Sequence, residues 1–278
     1  MKAFRWIMLV GLVTVVLVPA AGHARSEASQ ITSCGQTVTT NAVLTQSLTC
    51  TGDGVVVGAS GITIDLNGFA IKGDGGSGDY GIDNSAGHDD VTVKQGVLRQ
   101  FETGVYAANQ ADHVSVGNVA AVRNENAGLF VVGDFASVRS STFAANSFDG
   151  IEIMGASAAI RSANSAGNRD VGISVVGGSA LIQSSGASGN NIGIYVNGDG
   201  ARVRASKAFA NGHTGIRVSG DAAVVSGNRA DGNGYANLVS DGLGLGLVAD
   251  TWTTTAPVGS NVARGNDNPN ECVPASLC

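Results

Sequence analysis

The sequence predicts an all-β solenoid, a parallel β-helix of about 22 residues per coil and about ten coils. Three observations predict it. A Gly followed by an apolar-x-apolar triplet recurs every 21 to 24 residues, at Gly104, Gly128, Gly150, Gly172, Gly193 and Gly215, with a degenerate copy at Asn237-Leu238-Val239. An Asn stands four residues ahead of most of these Gly positions (Asn124, Asn146, Asn168, Asn211, Asn233), and Asn190 stands three ahead of Gly193. Ten residues after each Gly comes a second buried-type position: Val114, Val138, Ile160, Ile182, Val203 and Val225. A fixed period of this length marks stacked units, none of which can bury its apolar face alone.

The unit is a strand unit. Its apolar residues are β-branched or small and alternate with polar ones at period two. The chain holds 41 Gly, and each costs up to about 1 kcal/mol inside a helix, which excludes a helical repeat. Most units carry one Leu or none, which excludes a leucine-rich repeat. Stacked coils align equivalent positions into ladders about 4.8 Å apart. The Asn column then forms a structural amide ladder at a turn. The repeat Gly is expected to supply a backbone angle that other residues avoid. The small residues two either side of the second apolar position (Ala158 and Ser162, Ala180 and Ser184, Ala201 and Ala205) are expected to line a tight interior.

The rest of the chain frames this array. Residues 1–24 read as a secretory signal peptide: Lys2 and Arg5, an apolar run from Trp6 to Val18, and small residues at Gly22 and Ala24. This implies an exported chain, secreted or periplasmic, and no later segment is apolar enough to span a membrane. The remaining 25–278 loses two cations, so its net charge falls from −6 to −8, which argues against nucleic acid as a partner. Residues 25–278 form one domain, with an N-terminal cap and first coils over 25–60 and a C-terminal cap over 247–278. Four Cys sit near the ends, and in an oxidising compartment the expected pairs are Cys34–Cys50 and Cys272–Cys278.

One stretch is recognisable. Cys34-Gly35-Gln36-Thr37-Val38, Leu44 to Cys50, and Gly61-Ile62-Thr63-Ile64-Asp65-Leu66-Asn67-Gly68 resemble the start of secreted bacterial right-handed parallel β-helix proteins, the pectate-lyase-like superfamily and its NosD-like repeat group. Val91 to Phe101 and the tail around Cys272 are similar to later parts of that pattern. The resemblance implies a right-handed coil. It also implies carbohydrate lyases, hydrolases, esterases, epimerases and non-catalytic adhesins among the relatives, and fold alone does not choose.

Chemistry-bearing residues are sparse. Asp89-Asp90 is the only acidic pair and lies beside His88 in a turn, where Asp is common. With Glu152 these are the candidate catalytic acids. Asp134, Asp199 and Asp221 each fall six residues after a repeat Gly and read as turn residues. Gly73 to Asp79 is a single Gly/Asp loop of a kind that could hold Ca²⁺, although once rather than in tandem. His88, His113 and His213 are scattered, so no soft-metal site is expected. Two outward ladders stand out. One reads Tyr106, Phe130, Glu152, Ser174, Tyr195, Arg217, and the other Ser115, Arg139, Arg161, Gln183, Arg204, Ser226, with Arg202 beside it. Arg forks pair with carboxylates or sulfates, and exposed aromatics stack on sugar rings. The expected partner is therefore an anionic polysaccharide, bound along Arg139, Arg161, Arg202, Arg204, Tyr106, Phe130 and Tyr195. Short, uniform turns leave little to wall a catalytic groove and favour a non-catalytic binder. A lyase or epimerase of uronate-containing glycans is the alternative.

Overall fold

The structure is a computed structural model that describes residues 28–234, 247–250, 260–266 and 272–273. The expected signal peptide and the expected Cys272–Cys278 pair lie outside the described residues. Among those residues every regular element is a strand, and every pairing is parallel. The repeat triplets stack in register, with Leu129 beside Ile151, Ile151 beside Ile173, Ile173 beside Ile194 and Ile194 beside Ile216. They build an eleven-stranded sheet, here the first face.

Each coil contains three strands rather than two. After the first-face strand Leu129–Val132 come Ser137–Arg139 and Thr142–Ala144, and the next coil repeats this as Ile151–Met154, Ala159–Arg161 and Asn164–Ala166. The second and third faces are edges of one eighteen-stranded sheet, because Thr92–Arg99 and Ser115–Val122 run through the corner between them without a break. The third strand is three residues long with one buried side chain in the middle, too short for a visible alternation. That brevity hid it from the periodicity.

A left-handed residue stands at each corner of the coil. In one coil these are Phe135, Ser140 and Ala145, and in the next Ser157, Ser162 and Gly167. A side chain there costs about 1–2 kcal/mol, and inter-coil hydrogen bonds hold it in place: Ser140 N–H donates to Arg161 O at 3.1 Å and Ala145 N–H to Ala166 O at 2.9 Å. Two expectations are corrected here. Ser162, Ser184 and Ala205 are exposed corner residues, not interior ones, because the left-handed backbone turns their side chains outward. The repeat Gly does not adopt a positive φ. Its role is close approach: a Cβ on Gly172 would lie 2.6 Å from Gly193 O and 2.6 Å from Asn190 Nδ2. The next coil passes too near for any side chain.

The core is one continuous cluster of Val, Ile, Leu and Ala with Phe101 and Phe143, all buried. Beside it runs the amide ladder. Asn146 donates from its backbone N–H (3.0 Å) and from Nδ2 (2.9 Å) to Oδ1 of Asn168, which repeats the arrangement onto Asn190. The ladder runs from Asn124 through Asn211 and Asn233 to Asn266, every member buried. At the other end a disulfide joins Cys34 and Cys50 across the first coil, with Cα atoms 5.6 Å apart. Beyond the regular array, Leu247–Asp250 and Cys272–Val273 extend the first face and Val262–Arg264 the third. Within the segment read as a C-terminal cap, these described strands continue the stack.

Candidate functional site

The two outward ladders belong to different faces. Tyr106, Phe130, Glu152, Ser174, Tyr195 and Arg217 follow one another in register along the first face. Arg139, Arg161, Gln183 and Arg204 do so along the second. A corner intervenes, at Phe135 in one coil, so the Arg and aromatic residues do not form the single sugar-binding strip expected of them. Arg202 stands two residues before Arg204, exposed on the same second-face strand. The first-face aromatics also meet one another. Tyr80 stacks on Tyr106 with centroids 4.1 Å apart, and Tyr106 on Phe130 at 5.3 Å, all nearly coplanar. Their π-faces are largely spent on each other, which leaves ring edges for a ligand. Tyr195 has no ring partner among the described residues.

The candidate acids separate in the same way. Asp89 belongs to a turn ladder: its Oδ1 accepts Asp112 N–H at 2.8 Å, Asp112 accepts Asp134 N–H, and Asp134 accepts Ala156 N–H. Asp90 occupies a left-handed position, 3.9 Å from His113 Nδ1. Glu152 stands three coils further along the first face, about 14 Å away at the inter-strand spacing. Asp89 and Asp90 thus support turns and do not meet Glu152.

Glu152 instead meets two acids that sequence reasoning passed over. Asp149 stands one residue before the repeat Gly in the same coil, and Asp170 two residues before it in the next. Asp149 is 3 % exposed, and its Oδ1 accepts Val171 N–H at 2.8 Å. Burial raises its proton affinity to a pKa of about 7; that hydrogen bond opposes the rise, and the charges of Glu152 and Asp170 add to it. Burial also raises Glu152, with the Asp170 charge second. Asp170 Oδ1 accepts Asn191 Nδ2 at 3.4 Å. Exposed Phe148 flanks this group on the near side. Tyr195 and Arg217 follow two and three rungs along, and His213, whose Nδ1 lies 2.8 Å from Thr214 Oγ1, stands on the same coil as Arg217. The signal that could have found Asp149 is the residue just before the repeat Gly, which varies as Thr103, Ala127, Asp149, Val171. A carboxylate in an otherwise apolar or neutral column is conspicuous once that column is known to be buried.

The chemistry available here is proton transfer. Burial and the neighbouring charges raise Asp149 to a pKa of about 7, so its carboxyl exchanges a proton near neutrality. Among the described residues no group of three His, Cys, Asp or Glu is arranged to hold a metal ion. In the Gly73–Gly81 loop, Asp74 Oδ1 accepts Gly76 N–H at 2.9 Å, and Glu102 accepts Gly78 N–H.

Comparison with known proteins settles the fold. Residues 103–255 match the model of the right handed beta helix region. The chain belongs to that family. Among solved structures, this β-helix is similar to the mannuronan C-5 epimerase AlgE4 A-module of Azotobacter vinelandii. The TM-score is 0.58 at 13 % identity, covering 87 % of this chain and 79 % of that one. It is also similar to the AlgE6 A-module of the same organism, with TM-score 0.51 and 16 % identity over 84 % of this chain and 68 % of that one. At these identities the likeness is one of fold. No curated protein matches the chain. No helix among the described residues is long and apolar enough to cross a membrane.

Proposed function

We propose that the protein acts on a uronate-containing polysaccharide laid along its first face, as a lyase or epimerase, with Glu152 and Asp170 handling protons. The observation that carries this reading is the grouping of Asp149, Glu152 and Asp170 in two successive coils, where burial and neighbouring charge raise the proton affinity of Asp149 and of the outward-facing Glu152. A protonated Glu152 can donate a hydrogen bond to a sugar carboxylate, where an ordinary carboxylate would repel it. Neutralising that carboxylate acidifies the adjacent C5 proton, which Asp170, charge-coupled to Glu152, takes as the base; a proton then returns to C5 from the opposite side in epimerisation, or the C4–O4 bond breaks and its oxygen leaves with a proton in elimination. The solved structures sharing the fold at TM-scores above 0.5 are by name epimerases of mannuronan, a polyuronate. Export and any Ca²⁺ requirement belong to the same proposal and rest on the leader-like start and the Gly73–Asp79 loop.

The test uses the protein without its leader on alginate, pectate and glucuronan. Unsaturated-product absorbance reports a lyase, and deuterium incorporation from solvent at C5 reports an epimerase. Glu152→Gln and Asp170→Asn should each lower turnover by about 100-fold or more. A wild-type protein silent in both assays on all three polymers overturns the reading.

A further inference from the structure

The corner between the second and third faces carries a separate feature. Near the N-terminal end it is a groove of about 600 Å³, lined by Gln95 and Asn118 at the corner, Val97 and Thr142 on the third face, and Gly96 and Ser140 between them. Three columns run lengthwise beside it. The second-face column is Lys94, Gly117, Arg139, Arg161, Gln183, Arg204. The corner column is the left-handed one, Gln95, Asn118, Ser140, Ser162, Ser184, Ala205, exposed and small after the first two. The nearest third-face column is Ala120, Thr142, Asn164, Gly186, Lys207, Arg229.

From Lys94 onward none of these columns contains Asp or Glu, Asp65 being the rung before Lys94, although the whole chain is acidic at −6. Lys94 is neutralised by Asp65 at 3.1 Å and Arg229 by Asp231. Arg139, Arg161, Arg204 and Lys207 are exposed and have no anionic partner among the described residues. Arg139 is also held close to the corner: a Cβ on Gly117 would lie 3.0 Å from Arg139 Nε and 3.7 Å from its Cζ. The guanidinium therefore lies back across Gly117, beside the groove residue Asn118. A larger residue at 117 would push it away.

We propose that this corner is a second, non-catalytic binding groove for one extended strand of an acidic polysaccharide, whose carboxylates pair with Arg139, Arg161, Arg204 and Lys207. Successive rungs are about 4.8 Å apart, close to the length of one extended pyranose, so an in-register Arg column meets carboxylates at matching intervals. Arg forks bind carboxylates through two parallel hydrogen bonds. The small corner side chains let a sugar backbone approach the turn, and Asn164 and Thr142 supply hydroxyl partners. The groove would hold a long polymer on the molecule independently of chemistry at Glu152.

The experiment measures binding of oligogalacturonate and oligomannuronate to the protein without its leader, by calorimetry at two salt concentrations, with a neutral glucan and duplex DNA as comparison ligands. The wild type should bind the oligouronates, more weakly at higher salt, and neither comparison ligand to a similar extent. The triple variant Arg139→Gln, Arg161→Gln, Arg204→Gln should lose at least about tenfold in affinity. Ser162→Asp, a residue type tolerated at a left-handed position, should lose several-fold by placing a carboxylate in the corner column between Arg161 and Asn164. Arg123→Gln, which removes an exposed cation at the corner between the third and first faces, should bind as the wild type does, which separates this site from an effect of net charge. Undiminished oligouronate binding by a triple variant with a native melting curve overturns the proposal. So does an equal loss of binding in Arg123→Gln, which would make the effect one of net charge alone, or DNA binding as tight as that of the uronates.

Discussion

Two corners of the coil share a local design and differ in what they put on it. Both join short strands through a left-handed residue followed by a ladder residue. Between the third and first faces that ladder residue is Asn in every coil from Asn124 to Asn233. Between the second and third faces it is Ser141, Ala163, Ser185, Ser206, Asn228 and Asn261. The Asn corner closes with amide-to-amide bonds; the Ser corner uses hydroxyls, such as Ser185 Oγ accepting Ala163 N–H at 3.3 Å and donating to Gln183 O at 3.0 Å. At Ala163 the Ser ladder is simply interrupted. The difference teaches that one continuous amide ladder is enough to fix the stacking. The other corner is then free to vary, and that is where the open groove and the unpaired Arg column lie.

The largest effect should come from breaking the strong corner. Asn168→Ala removes the acceptor of two Asn146 donors and leaves buried groups unpaired, so it should cost on the order of 3 kcal/mol. Chemical denaturation would measure it, and a loss below about 1 kcal/mol would mean the ladder does not hold the coils together.

Asp149 lies in the turn that follows Asn146, and there the sign of its pH effect is fixed. Its folded pKa, raised from 3.8 to about 7, means that the folded state binds the proton more tightly than the unfolded chain does. That contribution is fully present below the unfolded pKa and is lost as pH rises through the folded one. Stability should therefore fall by about 2 kcal/mol between pH 5 and 8. Asp149→Asn keeps the oxygen that accepts Val171 N–H and should flatten this decline in thermal melts. A profile equally steep in the variant assigns the decline to other groups.

The smallest effect belongs to the weak corner. Ser185→Ala should cost about 1 kcal/mol, since it strands only the Ala163 N–H. A cost matching that of Asn168→Ala would erase the distinction between the two corners.

Much of the fold was legible in the residues. The period, the triplets and the Asn column determine stacking, register and core, because a side chain buried in one coil must be buried in the next. The Cys34–Cys50 pair was also legible, since both residues flank the first coil. The third strand was not, because a single buried residue such as Phe143 or Ser165 carries no period.

The site was less legible. The Arg and aromatic columns could be read as ladders, but whether they share a face depends on the number and angle of the corners, which only the closed coil decides. The repeat Gly could be read as special. That it makes room for the next coil, as at Gly172, rather than adopting an unusual angle depends on inter-coil distance. Asp149 belonged to none of the columns that the sequence singled out. Its raised proton affinity arises only when the following coil covers it and brings Asp170 alongside. The sequence by itself determined what repeats, because repetition is a property of the chain. The tertiary structure decided which columns meet, and hence where charge is desolvated, because that depends on distances between residues about 22 positions apart.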